Sequence, residues 1–259
     1  MQLQNQVVDR RLAVISGGAT GIGRAIAAGL LKDGLDVVLL GRRAEVLDRS
    51  AQELRARAPG GTVTALTCDA ADPADVRRCA AVLTSRDSAV DVIVANAGAP
   101  ASRVAEGAAL EEVASSWLDA YRANVLTAVL LMTALEPLLP RPGGRIVLVG
   151  SKAATTGGAS PAYVAAKAAL NGWVLSLAAR LGPHGITANV VAPGYTADTE
   201  LLVGRISPER HAALLTGIAA ARPAASHEIA AVVRFLASQA AAYVNGQVVA
   251  VDGGSRLAG

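Results

Sequence analysis

Tyr163 and Lys167 stand four residues apart, Y-x-x-x-K, with Ser151 twelve residues before the tyrosine. At i and i+4 on a helix the two side chains share one face. A phenol with its ordinary pKa near 10 is a poor acid or base at neutral pH. A neighbouring ammonium favours the phenolate and draws that value down. Bringing it to neutrality, about a thousandfold change in proton affinity, needs roughly 4 kcal/mol of differential interaction. An adjacent lysine and a second positive charge could supply this in a water-poor site. The chemistry these residues suit is proton transfer to or from a substrate oxygen, with the Ser151 hydroxyl holding the same oxygen. The pair alone says little, since either residue also fits a solvated helix surface.

Its meaning depends on the rest of the chain. Ser16 to Gly23 reads S-G-G-A-T-G-I-G, so Gly17, Gly21 and Gly23 follow a G-x-x-x-G-x-G spacing. Placed between a buried strand and a helix, such glycines allow a tight turn and let Gly17, Gly21, Ile22 and Gly23 approach a pyrophosphate. The helix opening at Gly21 offers free N–H groups and a positive dipole end. After the second strand, folds that prefer NAD place an acid on the ribose 2′-hydroxyl. Here the chain reads Leu40-Gly41-Arg42-Arg43. The acid is missing and Arg42 is placed to hold a 2′-phosphate, the alternative being an ordinary surface arginine pair. After the third strand, Asp69 can accept from an adenine amino group with Ala70 beside it. The alternative for Asp69, capping the next helix, suits Asp72 before Pro73 better. After the fourth strand come Asn96, Ala97 and Gly98, small enough to let a cofactor pass, with Asn96 able to brace neighbouring strands.

The elements that must position these residues are legible as an alternation. Strands are predicted at Leu12 to Ser16, Val37 to Leu40, Val63 to Thr67, Val90 to Ala95, Arg145 to Val149, Thr187 to Ala192 and Gln247 to Val251. Helices are predicted at Gly21 to Lys32, Glu45 to Ala58, Val76 to Thr84, Trp117 to Leu135, Ala162 to Leu181 and Ile229 to Ser238. The strands are apolar on both faces, as when helices cover both sides of a parallel sheet. Regular βα alternation without a linker predicts α/β architecture: one Rossmann-type, doubly wound domain of about seven strands over residues 1–259. Ligands then lie beyond the carboxyl ends of the strands, where the marked residues fall.

Composition narrows the function classes. With 259 residues, 52% hydrophobic and 17% charged, the chain can bury a large core and is not a disordered one. The formal charge is +3, but only three of the 24 basic residues are lysine and the arginines are scattered. That reads as solvated surface, with no nucleic-acid footprint. Cys68 and Cys79 have neither metal-ligand nor disulfide-framework spacing, so no metal is expected, and they fit a reducing compartment. The polar Met1 to Arg11 segment is no signal peptide. The longest apolar stretch, Val125 to Leu135, is about half a membrane span. A cytoplasmic protein without a membrane partner is expected.

Taken together, Leu12 to Gly254 resembles the short-chain dehydrogenase/reductase family. The carrying elements are Ser16 to Gly23, with Ser for the usual Thr, and Asn96 to Gly98, preceded by Ala95 where a second Asn is frequent. Ser151, Tyr163, Lys167, Pro193-Gly194 and Asp252 to Gly254 complete them. The resemblance adds Asn124 as a fourth catalytic residue. It implies that Tyr163 gives a proton to a ketone oxygen as hydride arrives from NADPH, and that Ser151 orients that oxygen. Lys167 binds the nicotinamide ribose and tunes Tyr163, and Asn124 holds a water leading from Lys167 to solvent. Backbone at Pro193, Gly194, Tyr195 and Thr196 approaches the carboxamide and diphosphate, and residues 196–217 form a lid. That lid carries Glu200, Leu201, Leu202, Val203, Arg205 and His211; Arg205 and His211 could greet a carboxylate but are read as solvated. The loop from Ala153 to Pro161, with Thr155 and Thr156, is expected beside the substrate. With few aromatics the pocket suits an aliphatic or acyl ketone.

Within the family the chain resembles β-ketoacyl carrier-protein reductases, whose basic docking positions correspond to Arg141 and His184. The substrate is therefore a small or carrier-bound carbonyl compound. Two readings stand beside this one: an NAD(P)-dependent alcohol dehydrogenase working oxidatively, and a non-catalytic NADP-binding regulator, against which the intact Ser-Tyr-Lys-Asn set argues. The resemblance also implies a homotetramer or homodimer, with the Ala-rich helices at Trp117 to Leu135 and Ala162 to Leu181 offering outer faces to symmetry mates.

Overall fold

The computed structural model describes residues 10–58, 60–86, 89–197, 199 and 207–255. Seven strands form one parallel sheet: β1 (Leu12–Ser16), β2 (Asp36–Gly41), β3 (Val63–Thr67), β4 (Val92–Ala95), β5 (Arg145–Val149), β6 (Thr187–Pro193) and β7 (Val248–Val251). Their order across the sheet is β3-β2-β1-β4-β5-β6-β7. The direction of winding reverses between β1 and β4, where Ala13 pairs with Val92 and Ile15 with Val94. This crevice is where an open α/β sheet binds its ligand.

Alternating residues of each strand feed two cores. Val14, Leu40, Ile93, Leu148 and Val190 face α3 (Pro73–Thr84), α5 (Thr127–Leu135) and α7 (Pro161–Leu181), meeting Leu83, Leu131, Met132, Leu170 and Val174. Ile15, Leu39, Val94, Val147 and Val191 face α1 (Gly21–Lys32), α2 (Ala44–Arg57) and α9 (Ser226–Ala237), meeting Ile26, Leu30, Leu54, Ile229 and Val233. Each buried aliphatic side chain contributes about 1.5–3 kcal/mol. The near absence of aromatics is thus met by interlocked branched side chains on both faces.

The helix expected from Trp117 to Leu135 is longer and interrupted. It comprises α4 (Leu110–Tyr121), a π turn (Arg122–Leu126) and α5. A π turn swells the helix by one residue and commonly marks a functional position. Asn124 sits inside it. By length and composition the runs Leu110–Leu138 and Pro161–His184 could each cross a membrane, so the apolar helical run exceeds the half-span expected. Leu131, Leu135, Leu170 and Leu177 on these runs are buried in the core. Two further helices carry no alternation signal: α6 (Ala153–Thr156) and α8 (Pro208–Thr216). Asp72 caps α3 as expected, its carboxylate accepting the Ala74 N–H at 2.9 Å.

Arg145 at the start of β5 is 2% exposed. Its guanidinium donates to the carbonyls of Gly143 and Gly144 (both 3.0 Å) and of Ser238 (3.2 Å), and to Gln239 Oε1 (3.2 Å). Burial lowers its pKa, with Arg11 adding to the effect. Ser238 is the C-cap of α9, so this cation fixes the end of that helix against the sheet.

Candidate active site

The glycine-rich loop between β1 and α1 is shaped by backbone proximity. Gly17 and Gly21 have φ of +62° and +48°, the left-handed region that favours glycine. A Cβ on Gly23 would lie 2.1 Å from the Gly17 carbonyl oxygen, so loop and helix touch there without room for a side chain. Thr20, the N-cap of α1, makes no side-chain capping bond. The first-turn N–H groups are therefore left for another acceptor, as at a phosphate site.

Ser16 and Asn96 tie this loop to the end of β4. The backbone amides of Asn96 and Ala97 both donate to Ser16 Oγ at 3.0 Å. Asn96 Nδ2 donates back to the carbonyls of Ser16 (3.0 Å) and Gly17 (3.1 Å). The serine in the usual threonine position is thus 1% exposed and doubly engaged. Asn96 holds the two strand ends at the switch point.

Arg42 is exposed at the rim, beside Gly41, and makes no hydrogen bond or ion pair among the described residues. Asp69 turns inward on itself. Its Oδ1 accepts the Ala71 N–H at 3.0 Å, and its own N–H donates to Asp75 at 2.9 Å. Ala70 follows it on the cleft wall.

The remaining set gathers on the other side of β4. Lys167 is 4% exposed, and its Nζ donates to the Val149 carbonyl at 2.9 Å. Asn124 is 1% exposed; its Nδ2 donates to the carbonyls of Ala99 (2.9 Å) and Ala120 (3.0 Å), and its Oδ1 accepts from Ala99 N–H at 3.3 Å. Gly98 lies between them. A Cβ there would stand 2.7 Å from Asn124 Oδ1 and 3.1 Å from Lys167 Nζ. Gly98 is therefore required by close approach. Lys167 Nζ lies 6.0 Å from the centroid of the Tyr163 ring.

The electrostatics differ from the sequence expectation. Lys167 was expected to pull the Tyr163 phenol down; instead burial pushes it up, with a hydrogen bond to Ser151 opposing. Burial also lowers Lys167 to about 8. The two groups leave water together, and the ammonium is aimed at the Val149 carbonyl. The fall in the Tyr163 pKa is therefore not built into the protein's own side chains.

Nearly all the predicted positions line one cleft of about 780 Å³: Gly17, Gly21, Ile22 and Gly23; Arg42; Asp69 and Ala70; Asn96, Ala97 and Gly98; Asn124; Ser151; Tyr163 and Lys167; Pro193, Gly194 and Thr196; Tyr195, expected among the last group, does not line it. The cleft also takes in Thr199, within the predicted lid, and Leu40, Val46 and Leu47 beside Arg42, with Asp119 and Arg122, which were not anticipated. Val46 and Leu47 were findable, being the first turn after Arg43. Asp119 and Arg122 were not, because the π turn sets their register.

Other expectations fail. Thr155 and Thr156 do not line the cleft; their hydroxyls donate to the Lys152 carbonyl at 3.0 and 3.2 Å within α6. His211 is not a solvated residue: its Nδ1 shares a 2.6 Å hydrogen bond with the Tyr195 hydroxyl. Of the predicted lid, Glu200, Leu201, Leu202, Val203 and Arg205 lie outside the described residues.

A family model described as enoyl-(acyl carrier protein) reductase matches residues 17–256. The 3-oxoacyl-[acyl-carrier-protein] reductase FabG of Escherichia coli K12 is 33% identical over 95% of this chain and 97% of its own. The chain is a short-chain dehydrogenase/reductase. Among solved structures of similar shape, a Pseudomonas aeruginosa RhlG/NADP active-site complex superposes with a TM-score of 0.86 at 32% identity, covering 96% of this chain and 97% of that one. A blue fluorescent protein from a metagenomic library in complex with NADPH gives 0.84 at 33% identity, covering 96% and 99%. Membership makes this short-chain dehydrogenase/reductase an oxidoreductase.

Proposed function

We propose that the protein is a single-domain, cytoplasmic ketoreductase that uses NADPH to convert a small aliphatic or β-ketoacyl ketone to its alcohol. The observation that carries this is the convergence of Ser151, Tyr163, Lys167 and Asn124 on one wall of a cleft whose other wall is an uncapped helix N-terminus. A dinucleotide fits that cleft on three counts. Gly17, Gly21 and Gly23 leave a cradle free of side chains, the Thr20 side chain does not cap the first-turn amides of α1, and the Arg42 guanidinium, without a hydrogen bond or ion pair among the described residues, stands at its rim. When bound, NADPH supplies the hydride that goes to the carbonyl carbon.

The protein's residues would do the rest. Ser151 donates a hydrogen bond to the ketone oxygen and fixes it beside the Tyr163 hydroxyl. Tyr163 gives its proton to that oxygen as charge builds there. The pKa of Tyr163, raised by burial and lowered by Ser151, keeps the phenol protonated and ready to donate. Lys167 binds the ribose hydroxyls and, with Asn124, leads a replacement proton to the phenolate. The same groups run in reverse support alcohol oxidation, favoured as pH rises.

Substrates not borne by a carrier are favoured by one feature. The basic positions expected to dock an acidic carrier gather around a carboxylate of the chain itself. Glu136 accepts two 2.6 Å bonds from Arg180 and lies 3.7 Å from Arg141. Its carboxyl is held low, chiefly by Arg180, with Arg141 and His184 contributing. The carrier-docking charge is therefore partly neutralised within the chain. NADPH consumption with free β-keto esters, carrier-bound β-ketoacyl groups and 2-enoyl thioesters, run in parallel, tests the reading. Reduction of the enoyl substrate alone would overturn it.

Cofactor choice gives a separate prediction. NADPH should bind more tightly than NADH, and Arg42→Ala should cost about ten- to a hundredfold of that preference, the range of a charge-assisted hydrogen bond. Fluorescence titration of both cofactors checks this, and equal affinities in the parent would remove Arg42 from the site.

Assembly gives another. On α4, Leu110, Trp117, Leu118 and Tyr121 form one apolar face, with Leu118 71% exposed, and Leu175 on α7 is 59% exposed. Exposed faces of this kind mark protein–protein contacts. We expect sedimentation to show a species larger than a dimer at micromolar concentration, and Leu118→Arg with Leu175→Arg to reduce it. A monomeric parent would show that these faces remain in water.

A further inference from the structure

We propose that Arg122 holds the adenine ring of the dinucleotide, its guanidinium lying on the base while Arg42 takes the 2′-phosphate; this rests on the NADPH reading above. The π turn puts Arg122 there. Two residues further on, Asn124 is tied to the Ala99 carbonyl and amide (2.9 and 3.3 Å) and to the Ala120 carbonyl (3.0 Å). These bonds fix α4 and the π turn to the loop after β4. Ala120 packs with Ala162 and Ala166 of α7. Two residues along a helix is about half a turn round, so Arg122 faces away from α7. It lines the cleft instead, with Asp119, Ala123 and Thr127. A π turn holds one residue more than an α turn, so an uninterrupted helix would bring a different face of α4 to the cleft.

The wall that Arg122 faces suits a purine. In a doubly wound sheet the acid or arginine after β2 holds the adenosine ribose, which places the adenine by the ends of β2 and β3. There Cys68, Ala70 and Ala71 line the cleft. All three are small and buried, and they leave a slot of the kind a flat ring fills. The run that carries Arg122 continues into α5, which packs against α3, the helix after β3. The side of this run turned from α7 is therefore the side turned toward β3, and Arg122 stands across the slot.

The charges around Arg122 separate a base from a phosphate. Arg122 is exposed and makes no hydrogen bond or ion pair among the described residues. Asp119, three residues earlier and its neighbour on the helix surface, is also exposed and also without such a partner among them. This wall presents a cation and an anion together. A phosphate placed here would meet the Asp119 carboxylate as well as the guanidinium. A neutral base meets no such repulsion, and a planar guanidinium suits its π face.

The test is fluorescence titration of the parent, Arg122→Ala and Arg122→Lys with NADPH and with NADH, at low and high salt. The base is common to both cofactors. Arg122→Ala should therefore weaken both about three- to tenfold and leave their ratio within about twofold of the parent's, the range for a cation on an exposed aromatic face. The loss should change little with salt, because the base carries no charge. Arg122→Lys keeps the charge and loses the plane, and should recover only part of the loss. A loss confined to NADPH, smaller at high salt and restored by lysine, would make Arg122 a second phosphate ligand and overturn the proposal. Affinities of Arg122→Ala within about twofold of the parent for both cofactors would overturn it as well. Because the readout is binding, a parent that binds NADPH and reduces no ketone sinks the ketoreductase reading alone. A parent that binds neither cofactor sinks both.

Discussion

Tyr163→Phe is expected to keep the fold and the NADPH affinity and to lower kcat by about 10²–10⁴-fold, the usual worth of a positioned general acid. The substitution removes one oxygen. The ring keeps its place in the first turn of α7, and Lys167 keeps its bond to the Val149 carbonyl. Ser151→Ala should also lower kcat with little effect on cofactor affinity, because that hydroxyl serves the substrate oxygen. Lys167→Ala should raise the NADPH KM as well as lower kcat, since it loses a ribose contact together with its part in returning a proton to Tyr163. Steady-state kinetics on the ketone chosen by the substrate panel separates the three. Direction of the pH effect follows from the raised Tyr163 pKa. Reduction needs the protonated phenol and persists to alkaline pH, while alcohol oxidation gains as that proton leaves. Turnover by Tyr163→Phe within a few-fold of the parent would assign the acid elsewhere. An unaltered parent that binds NADPH and reduces nothing would favour a regulator.

Much of this site was written in local sequence because parallel α/β folds put ligands at strand ends. Once β1 and α1 are recognised, Gly17 to Thr20 can only sit in the turn between them and Gly21 to Gly23 in the first turn of the helix. Arg42, Asp69, Asn96 and Ser151 follow by the same logic after their own strands. The π turn was not legible, since Arg122 to Leu126 has the composition of ordinary helix. It is stabilised by Asn124 reaching across to Ala99, a contact made only in the folded chain. Nor was α8, whose apolar residues remain unburied and so leave no core stripe to read. The direction of the Tyr163 shift was missed for a related reason. Spacing reports that a lysine is near a tyrosine, whereas the sign depends on how deeply both are buried.

Burial of Lys167 leads to the second large effect, on stability. The folded-state pKa of about 8 lies below the ordinary lysine value of 10.5. Below pH 8 the lysine is charged in both states, and the cost of burying an ammonium is fully present. Between pH 8 and 10.5 the folded protein releases this proton before the unfolded chain does, so stability rises with pH across that window. Above it both forms are neutral and the cost is gone. The span corresponds to about 3 kcal/mol, part of which the Val149 carbonyl already offsets at neutral pH. Lys167→Met fills the same space without a charge, and such replacements are often neutral or stabilising. We therefore expect Lys167→Met, without cofactor at pH 7, to unfold at higher urea than the parent, by up to about 3 kcal/mol. The advantage should shrink as pH rises from 8 to 10. Tyr163 and Cys68, both raised by burial, pull stability the other way at alkaline pH, but they are common to both proteins and cancel in the difference. Added NADPH should reverse the order, stabilising the parent by mass action and the variant less, because the ribose contact is lost. A pH-independent difference between the two would show that Lys167 titrates alike folded and unfolded. A difference with the expected slope would identify it as a residue whose charge destabilises the empty fold and stabilises the loaded one.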